Sequence, residues 1–315
     1  MKKKVWKFLS LFLVVILLGA CSLNSPEKSD ESSGSNKGNG GEKATKTIGL
    51  SISTLNNPFF VTLRDGAEAK AKELGLEITT ADAQDDPAKQ VSDIEDLIQQ
   101  GVDILIVNPT DSAAIVSAIE SANNANIPVI TVDRSAEGGE VVAHIASDNV
   151  AGGKMAAELI IEKLGGSGKV VELEGVPGSS AARERGQGFD EAIKGASGIE
   201  LVAKQTANFD RAEGLSVMEN IIQSTPEFQA VFAQNDEMAL GALEALQAAG
   251  KTDVLVVGFD ATDDAVAAVK EGRMLATVAQ KPEEIGAKGV ETAQKVLKGE
   301  SVDEFIPVDL ELIKK

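Results

Sequence analysis

The sequence has few of the residues that build metal centres and disulfides: one cysteine, one histidine and no tyrosine among 315 residues. A single cysteine excludes an internal disulfide and any cysteine-rich zinc or iron-sulfur site. A single histidine excludes the common multi-histidine metal centres. We therefore predict that the protein holds no metal.

Basic residues are outnumbered, with 30 lysines and arginines against 49 aspartates and glutamates and a formal net charge of -19 at pH 7. A protein that binds nucleic acid needs a basic surface to neutralise phosphates, so nucleic acid is excluded as a partner. The hydrophobic fraction of 43% is typical of a folded protein. The length, about twice the ~150 residues of a typical domain, predicts two domains or one large α/β unit.

One long, mostly apolar run lies at the N-terminus, over residues 8–18, and follows four lysines. It is shorter than the ~20 residues that a membrane-spanning helix requires, so we interpret residues 1–20 as a signal peptide. The small residues before Cys21 resemble a bacterial lipobox, in which the cysteine is acylated and becomes the first residue of the mature chain. An ordinary secretory signal and a retained membrane anchor are the alternatives.

Residues 21–45 contain almost no large apolar side chain and are rich in serine, glycine, asparagine and charge. Such a segment buries too little surface to fold by itself, so we predict a flexible tether after Cys21. A lipid on Cys21 would then hold an extracytoplasmic protein at the outer face of the cell membrane, with no other membrane contact.

From residue 46 onward, short β-rich runs alternate with helical segments, as in a parallel sheet covered by helices on both faces. The predicted strands cover residues 47–53, 76–81, 104–107, 129–132, 142–146, 170–173, 201–206, 230–233, 254–258, 276–279 and 305–312. Eleven strands exceed the five or six of a usual sheet, which favours two doubly wound lobes. A buried face is predicted for the first helix by the spacing of Phe60, Leu63, Ala67, Ala71 and Leu74.

Polar side chains follow five of these strands directly: Asn108, Asp133, Arg134, Gln234, Asn235, Asp236, Asp260 and Gln280. In open α/β sheets, ligands bind at the carboxyl ends of the strands. Asn and Asp in such places are also common helix N-caps, but that role does not account for Arg134 and Gln280. Amide, carboxylate and guanidinium groups form directional hydrogen bonds with neighbouring hydroxyls, which suits a polyol ligand.

Three phenylalanines accompany these polar groups. Phe59 and Phe60 follow Asn57-Pro58, and Phe209 precedes a predicted helix. Flat apolar rings can cover the C–H faces of a sugar while polar groups bind its edges. Phe60 alone is equally well explained as the start of the core face of its helix. We do not expect both Phe59 and Phe60 to pack in the core, because adjacent helical residues point ~100° apart.

Several segments resemble the type I periplasmic binding proteins, in particular those that bind D-ribose for bacterial ABC importers. The matching segments are STLNNPFF at 53–60, NPTD at 108–111, DR at 133–134, HIASDN at 144–149, SAARERG at 180–186, QNDEMALGA at 234–242 and VGFD at 257–260. The similarity covers about residues 46–313. The resemblance implies an α/β fold with two doubly wound Rossmann-like lobes joined by a three-crossover hinge near Ser147, Gln280 and Asp309.

The resemblance also implies the lobe boundaries and the pocket. The N-terminal lobe comprises residues 46–147 plus 281–309, and the C-terminal lobe comprises 148–280 plus 310–315. Because Arg183 and Arg185 point ~200° apart on a helix, only one of them can face the cleft, and the resemblance selects Arg185. The implied ligand-binding residues are Asn57, Phe59, Phe60, Asn108, Asp133, Arg134, Arg185, Phe209, Asn235, Asp260 and Gln280.

By resemblance, the protein captures D-ribose by closing its lobes and delivers the sugar to the permease subunits of an ABC transporter, with a chemoreceptor left open as a further partner. The alternatives are the same role for another sugar, such as allose, another pentose or a furanose-like signal molecule, and, more distantly, a sugar-processing enzyme. No catalytic residue is expected, because the only histidine, His144, lies in mid-strand as structural histidines do. No cofactor is expected, because the glycine-containing loop at 175–180 lacks the Gly-Lys-Ser/Thr ending of a phosphate loop.

Overall fold

The computed structural model describes residues 45–315. The predicted signal peptide, Cys21 and all but the last residue of the predicted tether lie outside this range. In chain order the elements are β1 (Thr47–Ile52), α1 (Pro58–Leu74), β2 (Glu77–Asp82), α2 (Pro87–Gln100), β3 (Ile104–Val107), α3 (Val116–Asn124), β4 (Val129–Val132), β5 (Ala143–Ala146), α4 (Asn149–Lys163), β6 (Gly168–Glu174), α5 (Ser180–Gly195), β7 (Ile199–Thr206), α6 (Arg211–Ser224), β8 (Ala230–Ala233), α7 (Asp236–Ala248), β9 (Leu255–Asp260), α8 (Asp263–Glu271), β10 (Ala276–Ala279), α9 (Pro282–Leu297), β11 (Phe305–Pro307) and β12 (Glu311–Lys314). None of these helices is both long enough and apolar enough to span a membrane.

The strands form two six-stranded sheets, which define two lobes. The sheet of the first lobe has the order β11-β5-β4-β3-β1-β2, and all its pairs are parallel. The sheet of the second lobe has the order β12-β10-β9-β8-β6-β7. Strand order reverses beside β1 in the first sheet and beside β6 in the second, so each lobe offers a crevice at the carboxyl ends of its strands. This architecture confirms the predicted fold class.

Ten of the eleven predicted strands agree with the structure to within two residues at either end. The eleventh, over residues 305–312, is wrong. It consists of β11, which pairs with β5 in the first sheet, and β12, which runs antiparallel to β10 in the second. The apolar alternation continues across both strands, but the chain leaves the first sheet after Pro307, and its three linking residues connect the lobes.

Helices cover both faces of each sheet, and their close packing positions the strand ends. In the first lobe α1 packs on α9, and in the second α4 packs on α5. A Cβ atom on Gly153 of α4 would overlap the carbonyl oxygen of Arg185 in α5, so this contact requires glycine. On α1, Phe60, Leu63, Ala67 and Ala71 are buried as predicted, while Leu74 is half-buried at the edge of the core.

Candidate functional site

A small cavity lies where the strand ends of the two lobes face each other. It is lined by Asn57, Phe59, Phe60, Asp133, Arg134, Ala181, Arg185, Phe209, Asn235, Asp260 and Gln280. Ten of these are residues that the sequence predicted, and both lobes contribute to the wall. Ala181 was missed, because a small apolar side chain at the start of a helix carries no signal in the sequence.

Asn108 is the predicted residue that does not line the cavity. It is fully buried behind Asp133, to whose Oδ2 atom its side-chain amide donates a hydrogen bond of 3.2 Å. The same amide donates to the Val132 carbonyl, and its oxygen accepts hydrogen bonds from the Ser53 amide and hydroxyl. These bonds place Asn108 as a support for Asp133, and a direct ligand contact by Asn108 stays a prediction.

Asn57 and Asn235 serve as helix N-caps and also line the cavity. The Asn57 side-chain oxygen accepts from the Phe59 amide at 2.9 Å, and that of Asn235 accepts from the Met238 amide at 2.9 Å. The N-cap interpretation and the ligand-binding interpretation are therefore compatible. Capping fixes the side-chain oxygen and leaves the amide group as a donor, which in Asn235 reaches the Phe209 carbonyl at 3.0 Å.

Phe59 and Phe60 are both buried in the core of the first lobe, contrary to our expectation, and both also line the cavity. Their rings are perpendicular, with centroids 5.1 Å apart. Because α1 begins at Pro58, the two residues lie in its first turn, where the core borders the cavity. Rings in an edge-to-face pair at this border can reach both environments.

Arg134 contributes the positive charge of the first lobe. Its guanidinium lies over the Phe60 ring at 5.0 Å and over the Phe209 ring of the second lobe at 5.3 Å. Its Nη1 donates to the Pro109 carbonyl, while its buried Nε has no hydrogen-bond partner among the described residues. Burial lowers the pKa of Arg134. The Nε lies 3.7 Å from Asp133 Oδ2, too far for a hydrogen bond. A buried donor that lacks a hydrogen bond beside a cavity suits a ligand that can accept one.

Arg185 is its counterpart in the second lobe and is held from several sides. Its Nε donates to Asn149 Oδ1 at 2.9 Å, its Nη1 donates to the Gln234 carbonyl at 2.7 Å, and its guanidinium stacks 3.9 Å from the centre of the Phe259 ring. The Nη1 atom is also 3.7 Å from Asp260 Oδ1. The sequence did not identify Asn149 and Phe259 as supports, although both lie in motifs that carried the resemblance.

Asp260 and Gln280 supply acceptors at the other side of the cavity. The Gln280 amide donates to Asp260 Oδ1 at 3.0 Å, and its own oxygen is buried without a partner in the described part of the chain. Burial raises the pKa of Asp260 to about 7, and the nearby Arg185 charge opposes this rise. The cavity thus presents donors and acceptors together, which matches hydroxyl groups because each can donate and accept.

The lobes also touch directly outside the cavity. The Ser112 amide donates to the Gly178 carbonyl, and the Ser135 amide donates to the Ser180 hydroxyl, both at 2.9 Å. The exposed Arg183 forms a 2.9 Å ion pair with Glu137 of the first lobe. Arg183 thus contacts the other lobe outside the cavity, whereas Arg185 lines the cavity.

His144 takes no part in the cavity. Its Nδ1 lies 2.9 Å from the Thr131 hydroxyl, and its ring is 5.9 Å from that of Phe305. Burial lowers the pKa of the imidazole. Among residues 45–315, no group of three or more His, Cys, Asp or Glu side chains is arranged to hold a metal ion.

Glu172 is a fully buried carboxyl group behind the site, where it accepts a 2.8 Å hydrogen bond from the Gln234 side chain and pairs with Lys204 at 2.9 Å. Burial is the main cause that raises its pKa, to about 7 from an ordinary value of 4.5. Between these two values the native protein retains a proton that the unfolded chain releases. The stability contributed by this group is therefore complete below pH ~4.5 and is lost as the pH rises through about 7.

We predict that Glu172→Gln removes this loss of stability at high pH. In urea unfolding at pH 8 the variant is expected to be more stable than the unmodified protein by about 1–3 kcal/mol, and at pH 5 the difference should nearly vanish. Glu174→Gln is the control, because Glu174 binds the same Lys204 Nζ but is half-exposed. Equal stability of Glu172→Gln and the unmodified protein at both pH values would contradict the prediction.

Two lobes with a polar cavity between the carboxyl ends of their strands define a bilobal solute-binding protein. A family model described as periplasmic binding protein domain matches residues 48–301, so the chain belongs to the periplasmic binding protein family. Members of this family are extracytoplasmic binding proteins and not enzymes, which supports the prediction that the chain is not an enzyme.

Two ribose import binding proteins and one solved solute-binding protein are similar to this chain over most of its length. The chain is 57% identical over 272 residues to the ribose import binding protein RbsB of Escherichia coli, covering 86% of this chain and 92% of that protein. It is 54% identical over 312 residues to the protein of the same name from Bacillus subtilis, covering 99% of each. A solved solute-binding protein from Bacillus halodurans with bound myo-inositol superimposes with a TM-score of 0.82 at 37% identity, covering 87% of this chain and 96% of that one.

Proposed function

We propose that this protein binds D-ribose in the cavity between its lobes and delivers the sugar to an ABC-type permease. The observation that carries the proposal is the convergence of ten predicted residues on one small cavity at the strand ends of both lobes. The similarity to ribose import binding proteins supports the choice of sugar.

The chemistry of the wall supports a small polyol. Arg134 and Arg185 offer charged donors, Asp133 and Asp260 offer carboxyl oxygens as acceptors, and the Gln280 oxygen is an additional acceptor. The phenylalanine rings are suited to the apolar faces of a sugar ring. The eleven side chains that line the cavity lie close together, which favours a small ligand such as a single monosaccharide.

Binding is expected to close the lobes. The polar groups of the cavity belong to both lobes, so a ligand gains its full set of hydrogen bonds only when the two halves meet. We propose that the N-terminal lobe comprises residues 46–147 plus 281–309 and that the C-terminal lobe comprises residues 148–280 plus 310–315. The chain crosses between the lobes near Ser147, Gln280 and Asp309. The direct contacts between the lobes, including Arg183–Glu137, stabilise the closed state, and a permease that prefers that state senses occupancy without contacting the sugar.

The test is calorimetry of the mature domain with ribose, xylose, allose, glucose and galactose. We expect ribose to bind at least about 100-fold more tightly than glucose or galactose, because a hexose overfills the site and mismatched hydroxyls leave buried polar groups unpaired. Xylose has the same size as ribose but a different arrangement of hydroxyl groups. Weaker binding of xylose would therefore show that the site recognises the hydroxyl groups and not only the size of the sugar.

Small-angle scattering of the same samples should show a smaller radius of gyration only with the sugars that bind. Equal or tighter binding of a hexose would refute the ribose assignment and favour the same role for another sugar. Tight ribose binding with an unchanged radius would refute closure.

We also propose that a lipid on Cys21 anchors the protein to the outer face of the cell membrane through the tether of residues 21–45. The proposal is supported by the short apolar run and the small residues before Cys21. Anchoring would keep the sugar-binding domain beside its permease, and a chemoreceptor at the same membrane is a second partner within reach.

A further inference from the structure

Asp236 is a fully buried carboxyl group that does not line the cavity. Its Oδ1 accepts a 2.8 Å hydrogen bond from the Thr277 hydroxyl. Its Oδ2 accepts from the Thr262 amide at 2.8 Å and from the Thr262 hydroxyl at 3.2 Å. No lysine or arginine of residues 45–315 forms a salt bridge with it. Because burying a carboxyl group without a cationic partner is costly, its place calls for an explanation.

The groups that Asp236 binds flank a strained turn. Asp260, the last residue of β9, and Ala261, the next residue, have φ values of 116° and 57°, in a region that residues other than glycine rarely adopt. Thr262, the next residue, binds Asp236 directly. The Ala261 amide donates to the Thr277 hydroxyl at 3.1 Å, and that hydroxyl donates in turn to Asp236.

Asp236 lies where its carboxyl group can hold this turn in place. It is the first residue of α7, where the helix dipole favours a negative charge, and it follows Asn235 of the cavity wall. A Cβ atom on Gly258 would overlap Asp236 Oδ1, so the carboxyl group lies directly against β9. One buried side chain thus connects the start of α7 with the end of β9 and the middle of β10.

We propose that Asp236 and Thr277 are positioning residues for sugar binding, which hold the strained Asp260–Ala261 turn so that the Asp260 carboxylate faces the cavity. The inference rests on the proposed function, since it assigns Asp260 a role in the binding of the sugar. It differs from a purely structural role, in which Asp236 and Thr277 would stabilise the fold without affecting affinity.

Thr277→Val is the informative variant, because it keeps the shape of the side chain and removes the hydroxyl that links the Ala261 amide to Asp236. We expect the ribose Kd measured by calorimetry to rise about 10-fold. Thr277→Ser keeps the hydroxyl and should stay within about 2-fold. Thr131→Val is the matched control, since Thr131 is equally buried in a strand but its hydroxyl contacts His144 away from the cavity.

A double-mutant cycle with Asp260→Ala then tests whether Thr277 affects the ribose Kd through Asp260. If Thr277 acts through Asp260, Thr277→Val should have no further effect on the Kd of Asp260→Ala. An independent, additive 10-fold loss would overturn the inference, as would a Thr277→Val protein that is less stable on heating but binds ribose normally. If the unmodified protein does not bind ribose, the proposed function fails instead, and the same variants are measured with the sugar that does bind.

Discussion

Replacing Arg185 with alanine is expected to weaken ribose binding by about 10- to 150-fold, measured by calorimetry. The variant loses a charge-assisted donor to a buried hydroxyl, worth about 1.5–3 kcal/mol. It also leaves Asp260 without the guanidinium 3.7 Å away, and it removes the Nε donor of the Asn149 oxygen and the Nη1 donor of the Gln234 carbonyl.

Arg183→Ala is the matched control, two residues away on the same helix. Arg183 is exposed and pairs with Glu137, and exposed pairs contribute about 0–1 kcal/mol. We expect at most about a 5-fold loss of affinity. Thermal unfolding of each variant checks that it is folded, and Arg185→Lys, which keeps the charge but not the planar fork, should also bind weakly. A folded Arg185→Ala protein with normal affinity would refute the assigned site.

Replacing Cys21 with serine is expected to release the protein from the membrane completely. A serine hydroxyl cannot form the thioether through which a bacterial lipoprotein carries its lipid, so the anchor would not form. In detergent phase separation, the unmodified protein should enter the detergent phase, and Cys21→Ser should lose that property. Ser22→Ala, a change at the neighbouring residue, is the control and should remain in the detergent phase.

Whether residues 1–20 are removed from the protein distinguishes a lipoprotein signal from a helical anchor and from an ordinary secretory signal. An inhibitor of the lipoprotein signal peptidase should block removal of these residues if Cys21 is lipidated. A detergent-phase protein that retains residues 1–20 without the inhibitor would support a helical anchor instead. Release of the unmodified protein into the aqueous phase after cleavage would support an ordinary secretory signal.

The sequence by itself determined the βα alternation and the residues at the strand ends. Short apolar strands followed by polar groups are local patterns, and parallel strands necessarily bring their carboxyl ends to one edge of a sheet. Asp133 and Arg134 could therefore be assigned to the ligand-binding edge of one sheet and Asp260 to that of the other before any contact was known, and the resemblance implied that the two edges form one site. Their identities also carried the resemblance to sugar-binding proteins.

The tertiary structure decided what depends on neighbours that are distant in the chain. Residues 305–312 are one alternating run in sequence, and only pairing with β5 and then with β10 divides them between the sheets. Asn108 follows a strand as Asp133 and Gln280 do, yet its hydrogen bonds place it behind Asp133.

The support of Asp260 by Asp236 and Thr277 likewise had no signal in the sequence. It joins residues 24 and 17 positions away from Asp260 through hydrogen bonds that exist only after β9, β10 and α7 have packed together. Spacing along the chain indicates which groups reach an edge of a sheet. Which of them contact a ligand, and which hold those that do, is determined by packing, because burial and hydrogen-bond geometry are properties of the assembled lobes.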